Sequence, residues 1–333
     1  MVESYQSFPH TGLALDPIHV GTGGERLGRV DLTIVRDPVT RVPKIPGSSL
    51  AGVYRAYAAM AQQAQGPNRQ VNGQTKPYYP DCAGQGQPRA GGAGGHCGQR
   101  DCPICTAFGF ATGRDSAGGF AGLAAFSDAH VLLFPVATRE GPCWVTSPMA
   151  LEAAGVKVSV VVEDALYRAR DNQQPLNLGW LLLPVKILSD CQSVRGKLQT
   201  LGVPDNILQS LGIVSNKLFS HVVNSNLEVR TSVAIDPATG AAQEPALFSY
   251  EALPRTTVLF WEVTTKNPRN FTIGSSPVAF NNDQPATIQD IYNVVVKAHP
   301  YLEYLGIGGM GTRGMGRLRV LTAPAAGQAT AQS

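Results

Sequence analysis

The chain has 333 residues, which suits one elaborated domain or two small ones and is short for three. With 36 glycines and 24 prolines beside 43% apolar residues, it can bury a core but must also carry long irregular insertions. A formal net charge of +3 is too small to argue for a polyanionic partner, and no apolar run is long enough to span a bilayer.

The N-terminus shows no basic segment followed by an apolar one, so a soluble, cytoplasmic protein with no membrane partner is expected. Leu13, Leu15, Ile18 and Val20 lie in an extended segment that ends in Gly-Thr-Gly-Gly. Val30, Leu32 and Ile34 then alternate as in a half-buried strand, with Asp31, Thr33 and Val35 on its other face. Asp37-Pro38 reads as a turn initiator. Pro46-Gly-Ser-Ser49 opens a helix with Ser48 or Ser49 as N-cap, and Leu50, Val53, Tyr54 and Tyr57 take helical spacing. From Arg26 to Arg55, six basic residues face two acids (Asp31 and Asp37).

Residues 62–95 form an insertion rich in Gly, Gln and Pro, which loops out. Four of the six cysteines fall in or just after it: Cys82, Cys97, Cys102 and Cys105. The C-x4-C-x2-C spacing with one upstream thiol supplies four ligands for a tetrahedral structural zinc, with His96 as an alternative fourth. A thioredoxin-type dithiol needs an apolar strand before it, and a glycine-rich loop stands there instead. Zinc would also hold together an insertion that buries little apolar surface.

Strands are expected over 123–136, 143–147 and 258–263, and a hairpin over 230–247 around Asp236-Pro-Ala-Thr-Gly240. Ile288, Ile291, Tyr292, Val295, Tyr301 and Leu302 fit one helical face, and 318–321 makes a last strand. Residues 323–333 read as a disordered tail. A strand–helix opening and a helix–strand close predict an α+β, ferredoxin-like (RRM-like) core with large insertions.

The run GIGGMGTRGMGRLRV (306–320) formally matches the dinucleotide fingerprint through Gly306, Gly308 and Gly311. That fingerprint must follow a strand and open a helix; here it follows a helix and precedes the last strand, which rejects it. Its glycines, including Gly308 and Gly309, with Arg313, Arg317 and Arg319 interleaved and no acid after Glu303, suit a phosphate backbone instead.

This terminal loop, the opening HVGTGGERLGRVDLTIVRDPVTRVPKIPGSSLAGVYR, Ser147-Pro148, Cys102-Pro-Ile-Cys-Thr-Ala-Phe-Gly109 and RTSVAIDPATGAAQEPALFSYEALP occur in one order. Together they resemble the repeated backbone subunit, of Csm or Cmr type, in the RAMP superfamily of type III CRISPR effector complexes. The resemblance implies one RAMP domain over 1–322 with a thumb hairpin at 228–250, and the zinc-binding insertion read from the cysteine spacing spans 62–121 within it. The partners it implies are CRISPR guide RNA, a single-stranded target RNA, other RAMP subunits and further copies of the chain.

Asp31 matches the position of the aspartate that cuts target RNA in such subunits. An unperturbed carboxylate is a poor base at neutrality, so holding a divalent metal such as Mg is an equally good task for it. RNA-binding candidates are His19, Arg29, Arg36 and Arg55, the helix start Gly47-Ser48-Ser49, Arg230 on the thumb, and Gly308, Gly309, Arg313 and Arg317. Two other readings remain: a non-catalytic scaffold of the same assembly, and a stand-alone zinc-binding RNA-processing enzyme.

Overall fold

The computed structural model describes residues 4–23, 30–66, 69–71, 73–84, 95–111, 118–158, 164–169, 174–242, 247–280 and 284–321. Arg29, the tail 323–333 and about a third of the 62–121 insertion lie outside the described residues. The chain divides into two compact units, each discontinuous in sequence. One comprises Met1–Pro9, Pro46–Asp128 and Glu262–Tyr304; the other comprises His10–Ile45, Ala129–Trp261 and Leu305–Ser333.

In chain order the principal strands are β1 (Tyr5–Ala14), β2 (Lys44–Ile45), β3 (Ala124–Phe126), β4 (Ala129–Thr138), β5 (Gly141–Thr146) and β6 (Leu166–Arg168). They continue with β7 (Val185–Ile187), β8 (Leu211–Ile213), β9 (Glu228–Ser232), β10 (Phe248–Ala252), β11 (Val258–Lys266) and β12 (Leu318–Leu321). The principal helices are α1 (Gly47–Gln65), α2 (Pro103–Phe108), α3 (Cys191–Thr200), α4 (Asn216–Ser225), α5 (Ile288–Val296) and α6 (His299–Leu305). A mixed sheet runs β7-β6-β8-β5-β4-β11-β1-β12, with β2 on β4 and β3 on β11. Its centre is antiparallel, whereas β8 joins β5 and β7 joins β6 in parallel.

In the second unit, Leu133, Trp144, Leu151, Val194, Leu198 and Phe260 belong to one apolar core, in which α3 packs on the sheet. The first unit has its own core, in which Ala58, Ile104, Leu123, Ile291 and Val294 enclose Cys82, Cys102 and Cys105. Helix α1 buries Leu50, Tyr54 and Ala58, one residue per turn on a single face.

The last strand occupies residues 318–321, as expected. Elsewhere the elements are cut differently. The N-cap of α1 is Pro46, not a serine, because Asp128 reaches back and its carboxylate accepts the Gly47 N–H at 2.8 Å. The strand expected over 123–136 breaks at Ser127–Asp128, where that carboxylate turns away to serve the helix. The helix expected across 288–302 splits in two, since Pro300 has no N–H to give the preceding turn. Residues 30–36 form no ladder strand: they make isolated bridges, Leu32 to Tyr250, Ile34 to Gly21 and Arg36 to Pro43.

The terminal glycine run docks on the chain's own backbone. Gly309 donates its N–H to the His19 carbonyl at 2.8 Å, and Gly316 donates to that of Pro17 at 2.9 Å. A Cβ at Gly308, where φ is +89°, would collide with the His19 carbonyl oxygen. Gly308→Ala is therefore expected to destabilise the fold by on the order of 1–3 kcal/mol. Gly311→Ala, with open space around it, is expected to change stability by less than about 0.5 kcal/mol. Denaturant unfolding of the two variants checks the contrast.

Candidate nucleic-acid interface and metal centre

The segment carrying Asp31 lies parallel to β10: the Leu32 N–H donates to the Ser249 carbonyl at 3.1 Å, and the Glu251 N–H donates to that of Leu32 at 3.0 Å. Asp31 is exposed, yet its carboxylate is fixed. Its Oδ2 accepts the Ser249 N–H at 2.6 Å and the Ser249 hydroxyl at 2.9 Å. The backbone N–H first and the hydroxyl second hold the Asp31 carboxyl below its ordinary range. The group is thus a fixed anion, unsuited to taking a proton near neutrality.

Ser249 starts the far strand of the β9–β10 hairpin, which pairs from Glu228 with Ala252 to Ser232 with Phe248. The hairpin turn is built by Asp236, whose carbonyl accepts the Gly240 N–H at 2.8 Å and whose Oδ1 accepts that of Ala238 at 2.8 Å. Val229, Val233, Ile235 and Leu247 are exposed on it. Beside Asp31, an open cleft of about 640 Å³ is lined by Leu32, Phe248 and Met310–Arg313. The Arg313 guanidinium lies 5.6 Å from the Phe248 ring centre, and its Nη1 donates to the Ser232 hydroxyl at 3.3 Å. The structure therefore brings the Asp31 segment, the hairpin and the terminal run together around one cleft.

Several predicted RNA contacts have other occupations. His19 is buried, its Nδ1 is 2.6 Å from the Glu251 carbonyl, and its own carbonyl seats Gly309. It props the glycine run from beneath. Gly308 and Gly309 are likewise spent on His19, leaving Gly311–Arg313 as the part that faces the cleft. Arg36 pairs with Glu251 at 2.7 Å and donates to Asn224 at 2.9 Å. Arg230 pairs with Glu228 at 2.6 Å, and Arg317 makes a two-pronged pair with Asp16 at 2.5 and 3.1 Å. Arg313 has no carboxylate partner among the described residues. Asp37 forms the turn, its Oδ1 accepting the N–H groups of Val39 and Thr40.

In the other unit, the start of α1 is less open than its sequence suggests. The Gly47 N–H goes to Asp128, and the Ser49 N–H goes to the Pro46 carbonyl at 2.9 Å. A carboxylate at that end competes with any phosphate for the helix dipole. Arg55 is not at the surface either: its guanidinium is half-buried on main-chain carbonyls of the cysteine insertion.

The sequence reading missed Ser249, Glu251 and Phe248. A usable signal existed in the motif Phe248-Ser-Tyr-Glu-Ala252. Strand alternation puts Ser249 and Glu251 on one face, and those two residues hold Asp31 and Arg36.

The cysteine centre is compact. The Sγ atoms of Cys82, Cys97, Cys102 and Cys105 all lie within 4.8 Å of one another. Cys105 Sγ is 3.6 Å from that of Cys97 and 3.7 Å from that of Cys82, far longer than a disulfide and suited to edges of a thiolate tetrahedron around one ion. Cys102 caps α2, its sulfur accepting the Cys105 N–H at 3.4 Å, with Pro103 at the first helical position. His96 stands apart, its Nε2 2.8 Å from the Gly84 carbonyl, so Cys82 completes the set. Burial pushes the Cys102 thiol well above its usual range, so an ion is what would let these sulfurs ionise together. Among the described residues, this is the one group of three or more metal-ligating side chains, and no helix is long and apolar enough to cross a membrane.

A family model described as the RAMP superfamily matches residues 13–319. The chain is 26% identical to the CRISPR system Cmr endoribonuclease Cmr4 of Pyrococcus furiosus, over 92% of each sequence. It is 47% identical to the Cms endoribonuclease Csm3 of Enterococcus italicus over 47 residues, 14% of this chain and 22% of the relative. Among solved structures, a chain of the type III-B Cmr-beta complex bound to cognate target RNA superposes with a TM-score of 0.61 at 15% identity, covering 96% of this chain and 98% of that one. Oligomeric Cmr4 from Pyrococcus furiosus gives 0.56 at 19% identity, covering 95% and 98%.

Proposed function

The chain belongs to the RAMP superfamily, and on that premise we propose that it is a guide-RNA-binding backbone subunit of a type III CRISPR effector complex that cuts the base-paired target RNA. The observation that carries this reading is the fixed Asp31 carboxylate at the foot of an exposed apolar hairpin, beside a cleft lined by Arg313, which has no carboxylate partner among the described residues. The match to Cmr4 across 92% of the sequence supports it.

RNA backbone and shape would be read by the protein, and sequence by the guide's base pairs. The exposed aliphatic side chains of the hairpin suit a wedge between bases. Arg313, stacked over Phe248, suits a phosphate next to an unstacked base. Asp31 would act at the ribose-phosphate to be cut. A divalent ion such as Mg, when bound, would neutralise charge developing on the phosphate. Its other ligands would come from RNA and water, as magnesium sites commonly arrange. Asp31 supplies the fixed anion for it, and Ser249 sets that anion's position.

The cysteine centre would hold structural zinc. With Zn–S bonds of about 2.3 Å, a tetrahedron has edges of roughly 3.8 Å, close to the 3.6 and 3.7 Å separations of Cys105 from Cys97 and Cys82. The remaining partners in this reading are other RAMP subunits and further copies of the chain.

The complex purified through this subunit is expected to carry RNA of uniform length and to cut complementary RNA; an RNA-free, inactive complex would overturn the reading. Arg313→Ala is expected to weaken RNA binding and to lower the slope of log affinity against log salt by about 1. An unchanged slope would mean that the guanidinium serves only Phe248 and Ser232.

A further inference from the structure

Arg55 projects from the middle of α1 into the cysteine insertion. Its Nε donates to the Cys82 carbonyl at 2.6 Å. Its Nη1 donates to the Gly109 carbonyl at 2.9 Å, and more weakly to that of Phe108 at 3.4 Å. One planar fork thus ties the loop bearing Cys82 to the C-terminal end of α2, the helix that carries Cys105 and is capped by Cys102. These two segments carry Cys82, Cys102 and Cys105, three of the four clustered cysteines, and α1 holds both.

The third nitrogen is anomalous. Nη2 is buried and has no hydrogen-bond partner among the described residues. A buried guanidinium with an unmet donor is costly unless a compensating charge lies close by. Four thiolates around one divalent ion make a doubly negative group, and such a group would supply that charge. Four neutral thiols would not.

We propose that Arg55 is the positioning residue of the cysteine metal centre, clamping its two ligand-bearing segments and offsetting the negative charge of the metal–thiolate group. This rests on the reading of the centre as a metal site. It replaces the phosphate contact that the sequence position of Arg55 suggests, because a guanidinium committed to three interior carbonyls cannot reach RNA. Outer-layer groups of this kind orient ligands and tune affinity without touching the ion.

The test uses the full-length protein, loaded with zinc and stripped of it, as wild type, Arg55→Gln and Arg55→Lys. Zinc affinity is read by competition with a chromophoric chelator, thiolate geometry by the absorption bands of the cobalt(II) form, and Tm is measured for both states. Arg55→Gln is expected to bind zinc about 10- to 100-fold more weakly, to shift the cobalt bands, and to shrink the rise in Tm that zinc produces. Arg55→Lys keeps the charge but loses the fork, so it should fall between the two. A purely structural arginine would lower Tm equally with and without zinc and leave the affinity unchanged, which would overturn the proposal. Should Arg55→Gln not fold, Arg55→Lys decides: zinc retention equal to wild type sinks the clamp, and faster loss sustains it. Wild-type protein that takes up no zinc would instead remove the metal reading on which the proposal stands.

Discussion

Replacing Asp31 with Asn in the assembled complex is expected to slow target-RNA cutting by about 10²- to 10³-fold while leaving guide and target binding unchanged. Asparagine keeps an oxygen to accept the Ser249 N–H, which the carboxylate now accepts at 2.6 Å. The hairpin therefore stays anchored, and only the negative charge is lost. Cutting at the wild-type rate would end the catalytic assignment, and loss of binding would make Asp31 a structural anchor.

The pH dependence adds a second reading of the same group. The carboxyl is held below its ordinary range by Ser249, so the stabilisation from these bonds is present above the unfolded group's pKa and is lost as pH falls through the lowered folded value. Between about pH 5 and 8 Asp31 stays ionised. A rise in cutting rate across that interval would belong to another group, and its persistence in a variant at Ser249 would confirm that.

Cys105→Ser is expected to abolish zinc retention and to destabilise the protein by on the order of 3 kcal/mol, or roughly 6–12 °C in Tm. Cys105 is fully buried, its sulfur lies within 4.8 Å of those of Cys82, Cys97 and Cys102, and it shares a core with Ile104, Leu123, Ile291 and Val294. Losing the metal there loosens ligands and core together. Cys143→Ser serves as the comparison: that thiol is buried in β5, is not one of the four clustered cysteines, and burial pushes it up to about 11. It should keep full zinc content. A zinc-free wild type, or a Cys105→Ser variant that retains zinc, would overturn the assignment.

What could be read before folding depended on how local the signal was. The four cysteines were legible because a thiol ligand has few other reasons to recur at such short spacing. The start of α1 was legible from Pro46-Gly-Ser-Ser49, and the last strand from its place after the glycine run. The break between α5 and α6 was readable at Pro300, but the apolar face ran past it and was followed instead.

Charge was the least legible property. Arg36, Arg230 and Arg317 read as RNA-binding candidates, because Glu251 and Asp16, which neutralise two of them, lie more than 200 positions away. Glu228, which neutralises the third, sits two residues from Arg230, where strand alternation puts both on one face. Arg55, spaced like a surface helix residue, was turned inward by carbonyls that its helix could not announce.

By itself the sequence determined the family and the clustering of four cysteines, since these follow from residue type and spacing within short windows. The tertiary structure alone decided which charges are free. A hydrogen bond or ion pair acts over a few ångströms of space, whatever the length of chain between the partners. So it took the folded β10 to show that Ser249 fixes Asp31, that Glu251 silences Arg36, and that Arg313 is left facing the cleft.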